Sequence, residues 1–361
     1  MQNTVPPKNI GIITGGWCGL EVVDAASLVL QAIEEISNIH FSPYYFSYEN
    51  WKDTETKQEK FYACVKEFYQ DIKIKGGWVL RGSLHAPIVY KLREDFNQLY
   101  KLVPLKYSPE LLESSLLKED VAEKIDFLIV RENCHGPYHA QFSSEQLSET
   151  NRRRVSCTFH YDQEDIDNFA DVAFNLASNR SKKLHLFIKD ESMGELGELW
   201  LDSFKRSHLR YPNVDFAALP MGSGAAEIFY KPREFDVIAT PDVEGDILAD
   251  NLTRLIYGST MTTASGNFSL DGFASYQTIH GTVKPIAGKD KINPIGMIQA
   301  LAMCLEYSAN MTQEAQMIKD SIRRTLVAGF RTIDIYRTNN HKLIGTKEMT
   351  QRIIDNLIYP A

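Results

Sequence analysis

Two periods of apolar residues run through this chain, one of short continuous stretches and one of helical spacing. The run Asn9-Ile10-Gly11-Ile12-Ile13 reads as a buried strand, and a glycine-rich turn from Gly15 to Gly19 follows it. From about Glu21 to Ile36 the apolar residues Val22, Ala25, Ala26, Val29, Ile33 and Ile36 recur at helical spacing, with Asp24, Gln31, Glu34 and Glu35 on other faces. That pattern predicts an amphipathic helix. Further strands are predicted at Ser42–Ser47, Gly77–Leu80, Phe127–Val130, Leu184–Ile188 and Val237–Ala239, while Trp51–Lys60 is polar and reads as loop or helix surface. From Pro294 to Pro360 the pattern is nearly all helical. Met297, Ala300, Leu301, Cys304 and Leu305 make one apolar face, and Met317, Ile318, Ile322 and Leu326 make another. Strands alternating with long helical segments predict an α/β architecture.

The length of 361 residues suits two domains or one large α/β unit. No internal repeat and no low-complexity tether divides it. The balance of 39 Lys+Arg against 47 Asp+Glu gives a formal charge of −8, which argues against nucleic acid as a partner, since phosphate binding depends on Lys and Arg. No apolar run approaches the roughly 18–20 residues of a membrane helix, so no membrane partner is expected. The N-terminal stretch Met1–Lys8 lacks a charged-then-apolar signal pattern. Cys18, Cys64, Cys134, Cys157 and Cys304 are widely spaced with no CxxC pair, which fits reduced thiols and a cytoplasmic location.

Several local patterns are candidates for chemistry. The turn Gly15-Gly16-Trp17-Cys18-Gly19 sits between a strand and a helix, where phosphates bind. Its spacing is not G-x-G-x-x-G, and Trp17 occupies the turn, so an ordinary tight turn is the favoured reading. His135 and His139 are four apart with His160 downstream, a zinc-like spacing on a helix. Pro137 between them opposes a regular helix and favours a structural or surface role. In Pro241-Asp242-Val243-Glu244-Gly245-Asp246-Ile247-Leu248-Ala249-Asp250, Asp246 and Asp250 would face one way on a helix beginning near Asp246. Such a pair suits Mg²⁺ or Mn²⁺; helix capping by first-turn acids is the alternative.

These residues also carry a family resemblance. Gly245-Asp246-Ile247-Leu248-Ala249-Asp250 resembles the GDILSD element of the isocitrate and 3-isopropylmalate dehydrogenases, which are metal-dependent β-decarboxylating enzymes. His280-Gly281-Thr282-Val283-Lys284-Pro285-Ile286-Ala287-Gly288, continuing to Asn293-Pro294, is similar to that family's adenosine-binding loop, and Gly15–Val22 to its N-terminal GDGIGPEV. Leu92-Arg93, Val130-Arg131-Glu132 with Tyr138, and Phe187-Ile188-Lys189 match its substrate-arginine, VRE-to-tyrosine and catalytic-lysine elements, in family order.

The resemblance implies a fold of two domains with a central cleft. The first is discontinuous (residues 1–107 and 257–361) and binds the cofactor; the second (108–256) carries metal, substrate and dimer contacts. It implies NAD(P)-dependent oxidative decarboxylation of a 2-hydroxy diacid. Arg93 and Arg131 would grip substrate carboxylates, Val89 and Tyr90 would select the group at the third carbon, and Asp246 and Asp250 would hold Mg²⁺ or Mn²⁺. Lys189 would help deprotonate the 2-hydroxyl, and Tyr138 would protonate the enolate left by CO₂ loss. His280, Gly281, Thr282, Lys284, Ala287, Gly288 and Asn293 would hold NAD or NADP. A homodimer would share each site, with Lys189 coming from the neighbouring subunit. The local sequence offers Leu196, Leu199, Trp200 and Phe204 at helical spacing as an apolar stripe for that interface; packing of the stripe inside its own domain is the alternative.

Departures from the family pattern are equally definite. Val103 stands at the second substrate arginine, Gly222 at the third metal acid, Gln277 at the glutamate before the histidine loop, and Pro285 at the position that separates NAD from NADP users. Gly16 replaces the aspartate of the first turn, and Ala86 the acid near the nicotinamide. A non-catalytic or regulatory homologue that keeps the fold and a ligand pocket is the alternative they support.

Overall fold

A computed structural model describes residues 8–37, 39–47, 58–147, 152–189 and 191–358. The polar stretch expected from Trp51 falls over 51–57, outside the described residues, and its last residues open a helix. In chain order the strands that matter are β1 (Lys8–Ile13), β2 (Phe41–Phe46), β3 (Trp78–Arg81), β4 (Tyr100–Lys106), β5 (Asp126–Glu132), β6 (Gln141–Leu147), β7 (Arg152–Thr158), β8 (Lys183–Ile188), β9 (Asp215–Pro220), β10 (Val237–Thr240), β11 (Ala264–Phe268) and β12 (Ala274–Thr278). The helices are α1 (Gly19–Ser37), α2 (Gln58–Ile74), α3 (Ala86–Asp95), α4 (Glu119–Ala122), α5 (Gln163–Ser178), α6 (Glu195–His208), α7 (Met221–Tyr230), α8 (Asp242–Tyr257), α9 (Ile295–Tyr307), α10 (Thr312–Val327) and α11 (Thr346–Ile358).

The chain forms two compact units. One comprises Met1–Leu92, Tyr107–Glu123 and Asp250–Ala361; the other comprises Arg93–Lys106 and Lys124–Ala249. The sequence expectation had the divisions at 107 and 257. Arg93–Lys106 groups with the middle segment because β4 pairs antiparallel with β5 along its whole length, from Tyr100–Glu132 to Lys106–Asp126.

In the first unit β2, β1, β3 and β12 run parallel in that order, and β11 pairs antiparallel with β12. Ile10, Ile12 and Ile13 are wholly buried on β1, as a parallel strand covered on both faces requires. In the second unit the order is β4, β5, β10, β8, β9, parallel from β5 onward. β5 is buried from Phe127 to Glu132, which explains its apolar run. The antiparallel pair β6–β7 is almost entirely exposed. No apolar periodicity marked it in the sequence, because neither face is covered within the chain. Among the described residues no helix is long and apolar enough to cross a membrane.

One sequence expectation needs correcting here. The stripe assigned to a dimer interface largely packs inside its own unit. Trp200 and Phe204 are 2% and 0% exposed; the Trp200 ring meets Tyr161 and Phe169 edge-on, and Phe204 packs on Phe169 and Phe174. Only Leu196 and Leu199 remain half-buried. The reason is α5, whose Phe169 and Phe174 offer α6 a partner within the chain. Phe204→Ala should therefore destabilise the protein by about 3–5 kcal/mol, the usual cost of emptying a buried aromatic site. Urea unfolding should show that loss equally at low and high protein concentration.

Candidate active site

Arg131 lies near the C-terminal end of β5, and its side chain is 2% exposed. Its Nη2 donates to Asp242 Oδ1 at 2.6 Å, and its Nη1 donates to Asp246 Oδ1. The Tyr138 hydroxyl donates to the other oxygen of Asp246 at 3.0 Å, and the Tyr138 backbone N–H donates to Asp242 Oδ2 at 3.2 Å. The guanidinium also lies 5.5 Å from the centroid of the Tyr138 ring, within cation–π range. Arg131 and Tyr138 thus form one cluster with Asp246, more than a hundred residues further along the chain. Asp242 is its fourth member, and nothing in the sequence pattern singled it out.

The helix explains how this happens. α8 begins at Asp242, one turn earlier than the sequence suggested, so its first-turn acids are Asp242 and Glu244. Any capping role falls to those two. Asp246 and Asp250 sit in later turns of the same helix. Gly245 is required where α8 crosses β5, since a Cβ there would lie 2.7 Å from Thr240 Cγ2 and 3.0 Å from Arg131 Cγ.

Burial alone would lift the Asp246 pKa. Arg131, followed by Lys101, the Tyr138 hydroxyl and Arg93, outweighs it and holds the carboxyl below the ordinary aspartate range. Asp242 behaves oppositely: burial raises its pKa, and Arg131 offsets this only in part. Lys101 is the residue that sequence reasoning missed. It is buried on β4 and lies directly opposite Arg131 in the β4–β5 register. Residues two apart on a strand share a face, so Lys101 returns positive charge to the face where Val103 lost it. The signal was available in the pattern Lys101-Leu102-Val103, a cation alternating into an apolar strand.

Arg93 is buried in the last turn of α3. On the same helix Val89 is buried and Tyr90 half-buried. Lys189, exposed just past β8, lines a pocket with Pro137, Tyr161, Trp200 and Glu244. No hydrogen bond or ion pair joins Lys189 to Asp246 or Tyr138 among the described residues. Gly222 lies near the start of α7 with nothing within 4 Å of where a side chain would begin. The acids of α8 are an oxygen donor set with Asp246 kept ionised, which fits a hard, six-coordinate cation completed by water and substrate oxygens.

The loop after β12 is fastened to the glycine turn. Glu21 on α1 accepts from the backbone N–H of Gly288 at 2.6 Å and of Asp290 at 3.2 Å, and Cys18 N–H donates to the Thr282 carbonyl. Gly15 (φ +68°) passes so close to Gly82 and Ser83 that a Cβ would lie 2.6 Å from the Gly82 carbonyl carbon. Trp17 is exposed above the turn, and the Lys284 ammonium lies 4.8 Å from its ring centroid. Val283 holds φ at +44°, a costly conformation for a β-branched residue and one that clusters at ligand loops.

His280 is buried, and burial drives its pKa down against the pull of the Gly281 carbonyl. Its Nδ1 lies 2.8 Å from that carbonyl, so Nδ1 carries the proton and Nε2 is an acceptor. Nε2 is buried without a partner. An exocyclic amino group such as that of adenine supplies the missing donor, so the loop fits a dinucleotide. Gly281 is exposed, and Ala287 is half-buried. Asn293 is engaged elsewhere: its Oδ1 accepts from Ile295 N–H at the start of α9, and its Nδ2 donates to Asp334.

Comparison with known proteins places this site in a family. A profile of the isocitrate/isopropylmalate dehydrogenases matches residues 9–353. The 3-isopropylmalate dehydrogenase of Clostridium acetobutylicum is 35% identical over 362 residues, spanning 96% of this chain and 99% of its own length. That of Neisseria meningitidis serogroup B is 32% identical over 301 residues, 80% of this chain and 84% of its own. Among solved structures, isocitrate dehydrogenase from Methylococcus capsulatus superposes with a TM-score of 0.83 at 21% identity, over 98% of this chain and 100% of that one. At that identity the likeness speaks for the fold. The chain belongs to the isocitrate/isopropylmalate dehydrogenase family, and its enzyme class is that of a decarboxylating dehydrogenase.

A depressed aspartate stabilises the fold above its unfolded pKa, and that stability is lost as pH falls through the folded value. Tyr138→Phe removes a hydrogen bond to the charged form of Asp246. The Asp246 carboxyl should then titrate at a higher pH in ¹³C NMR, and the acid limb of the stability curve should move up with it. An unchanged titration would mean that Arg131 and Lys101 alone set the value.

Proposed function

We propose that this chain catalyses NAD(P)-dependent oxidative decarboxylation of a 2-hydroxy diacid, related to isocitrate or 3-isopropylmalate, with Mg²⁺ or Mn²⁺. The observation that carries the reading is the Arg131–Asp246–Tyr138 cluster, in which a substrate-binding cation, an ionised metal acid and a proton donor meet at the mouth of one strand. Asp246 and Asp250 would hold the metal, which would supply Lewis acidity to substrate oxygens, and the loop of His280 would hold the dinucleotide, which would supply the hydride acceptor. The remaining chemistry belongs to the chain. Arg93, Lys101 and Arg131 bind the substrate carboxylates, for which guanidinium forks are suited. Lys189 takes the proton of the 2-hydroxyl as oxidation proceeds. Tyr138, whose hydroxyl is aimed into the cluster, returns a proton to the carbon that loses CO₂.

Val89 and Tyr90 would select the group at the third carbon, Tyr90 being the more exposed of the two. Pro285 has no side-chain donor or charge for a ribose hydroxyl or a 2′-phosphate, so Lys284 over Trp17 is the group that separates NADP from NAD. Lys284→Ala should lower the NADP⁺ to NAD⁺ preference; an unchanged ratio removes Lys284 from that role.

Two tests address the substrate and metal groups. Asp250→Asn should abolish metal-dependent turnover with nearly unchanged thermal stability. Lys101→Ala should raise KM for the acid by about ten- to a hundredfold, the equivalent of one charge-assisted contact of ~1.5–3 kcal/mol. A second reading, a homologue that binds the acid without turning it over, is favoured by Gly222 and Val103. Calorimetric binding of the acid with no cofactor reduction would establish it.

The assembly we propose is a C₂ homodimer in which Lys189 completes the site of its partner. Its support is that Lys189 makes no hydrogen bond or ion pair with Asp246 or Tyr138 among the described residues of one chain. Lys189→Ala and Asp246→Ala proteins should each be inactive. Refolded together they should recover roughly a quarter of wild-type activity, since half the dimers are mixed and each has one intact site of two. No recovery once mixed dimers are demonstrated would place Lys189 in its own subunit's site.

A further inference from the structure

The sequence paired His135 with His139, but the structure separates them. Pro137–His139 is a single 3₁₀ turn rather than a helix, and His139 Nδ1 turns to Glu94 at 2.6 Å. His135 instead meets His160, from the segment between β7 and α5, with ring centroids 5.9 Å apart and ring planes at 65°. Asp162 completes the group. One ligand atom from each of His135, His160 and Asp162 lies within 4.8 Å of the others.

We propose that His135, His160 and Asp162 form a second divalent-metal site, selective for zinc-like ions and separate from the acids of α8. Two imidazoles and one carboxylate are borderline donors that suit Zn²⁺, Co²⁺ or Ni²⁺ over Mg²⁺. Glu132 supplies the outer support such sites use. It is wholly buried, accepts from the backbone N–H of Cys134 and of His135, and lies 2.9 Å from His135 Nδ1. With Nδ1–H given to this fixed carboxylate, Nε2 is the ring atom left to bind a metal, the arrangement that orients ligating histidines. Ligand atoms around tetrahedral zinc stand about 3.3 Å apart, from bond lengths near 2.0–2.1 Å, so the group must contract. It can do so without repacking, because the His160 and Asp162 side chains are 75% and 67% exposed. In the metal-free protein Asp165 Oδ2 lies 3.3 Å from His135 Nε2 and holds that position as an ion pair.

A bound ion would tie the loop that carries Tyr138, three residues beyond His135, to the segment entering α5. Its role is to restrain that loop.

The test is titration of the full chain with Zn²⁺, and with Co²⁺ as a spectroscopic probe, in excess Mg²⁺ so that oxygen-only sites are filled. One equivalent should bind per chain, with Co²⁺ showing visible d–d absorption and Zn²⁺ raising the melting temperature. His160→Ala and Asp162→Ala, both at exposed positions, should each weaken binding at least tenfold while circular dichroism shows an intact fold. Glu132→Gln should weaken it by about 10–100-fold, the effect of losing a supporting carboxylate. Asp246→Asn should leave it unchanged. Binding that survives His160→Ala, that is lost in Asp246→Asn, or that never reaches one equivalent would overturn the proposal and leave His135 as the centre of an ion-pair network only.

Discussion

The guanidinium of Arg131 is the constraint on which the second unit depends. It is buried at the end of a parallel strand, where an unpaired charge is costly, and α8 delivers Asp242 and Asp246 to its two Nη atoms. Leaving such a charge unpaired costs about 3–5 kcal/mol. The direction of α8 away from β10, the need for Gly245 at the crossing and the position of the Tyr138 loop all follow from that pairing. The two acids answer the same cation differently. Asp242, fully buried, has its pKa raised; Asp246, partly open, has its pKa lowered. One anchors the arginine and the other stays charged toward solvent, where it is available to a cation.

The same pairing bears on catalysis. On the proposed reaction, a substrate carboxylate arriving at Arg131 would compete with acids already present, so binding would rearrange the cluster. Lys101, facing Arg131 across the β4–β5 ladder, would be the compensating charge. Two cations side by side in a sheet repel each other, and here Asp246 lowers that repulsion.

Much of the fold was legible in the chain. The buried strands β1, β5, β8 and β10 and the helix α1 announced themselves as continuous apolar runs and helical periodicity, because both faces of a parallel sheet must be covered. What escaped had weaker local signals. β6 and β7 cover nothing and so carry no apolar pattern, and β11 and β12 contain Ser, Gly and Asn that are buried by neighbours rather than by their own chemistry. Of the site, Arg131, Tyr138 and Asp246 were named from motifs, and the structure brings them together. Asp242 was hidden because a helix start looks like a cap, and Lys101 because a cation in a strand looks like an edge. His135 and His139 read as structural or surface residues, and the contact of His160 with His135 arises through tertiary folding that no local period records.

The central claim is that the cluster around Arg131 and Asp246 supports coupled oxidation and decarboxylation. It is tested most directly by measuring CO₂ release and nicotinamide reduction together, with Mn²⁺, NAD⁺ or NADP⁺ and a panel of 2-hydroxy diacids. The account predicts one CO₂ for each cofactor reduced, with at least one acid of the panel. Reduction without CO₂, or no reduction with any acid while the acids still bind, would contradict it.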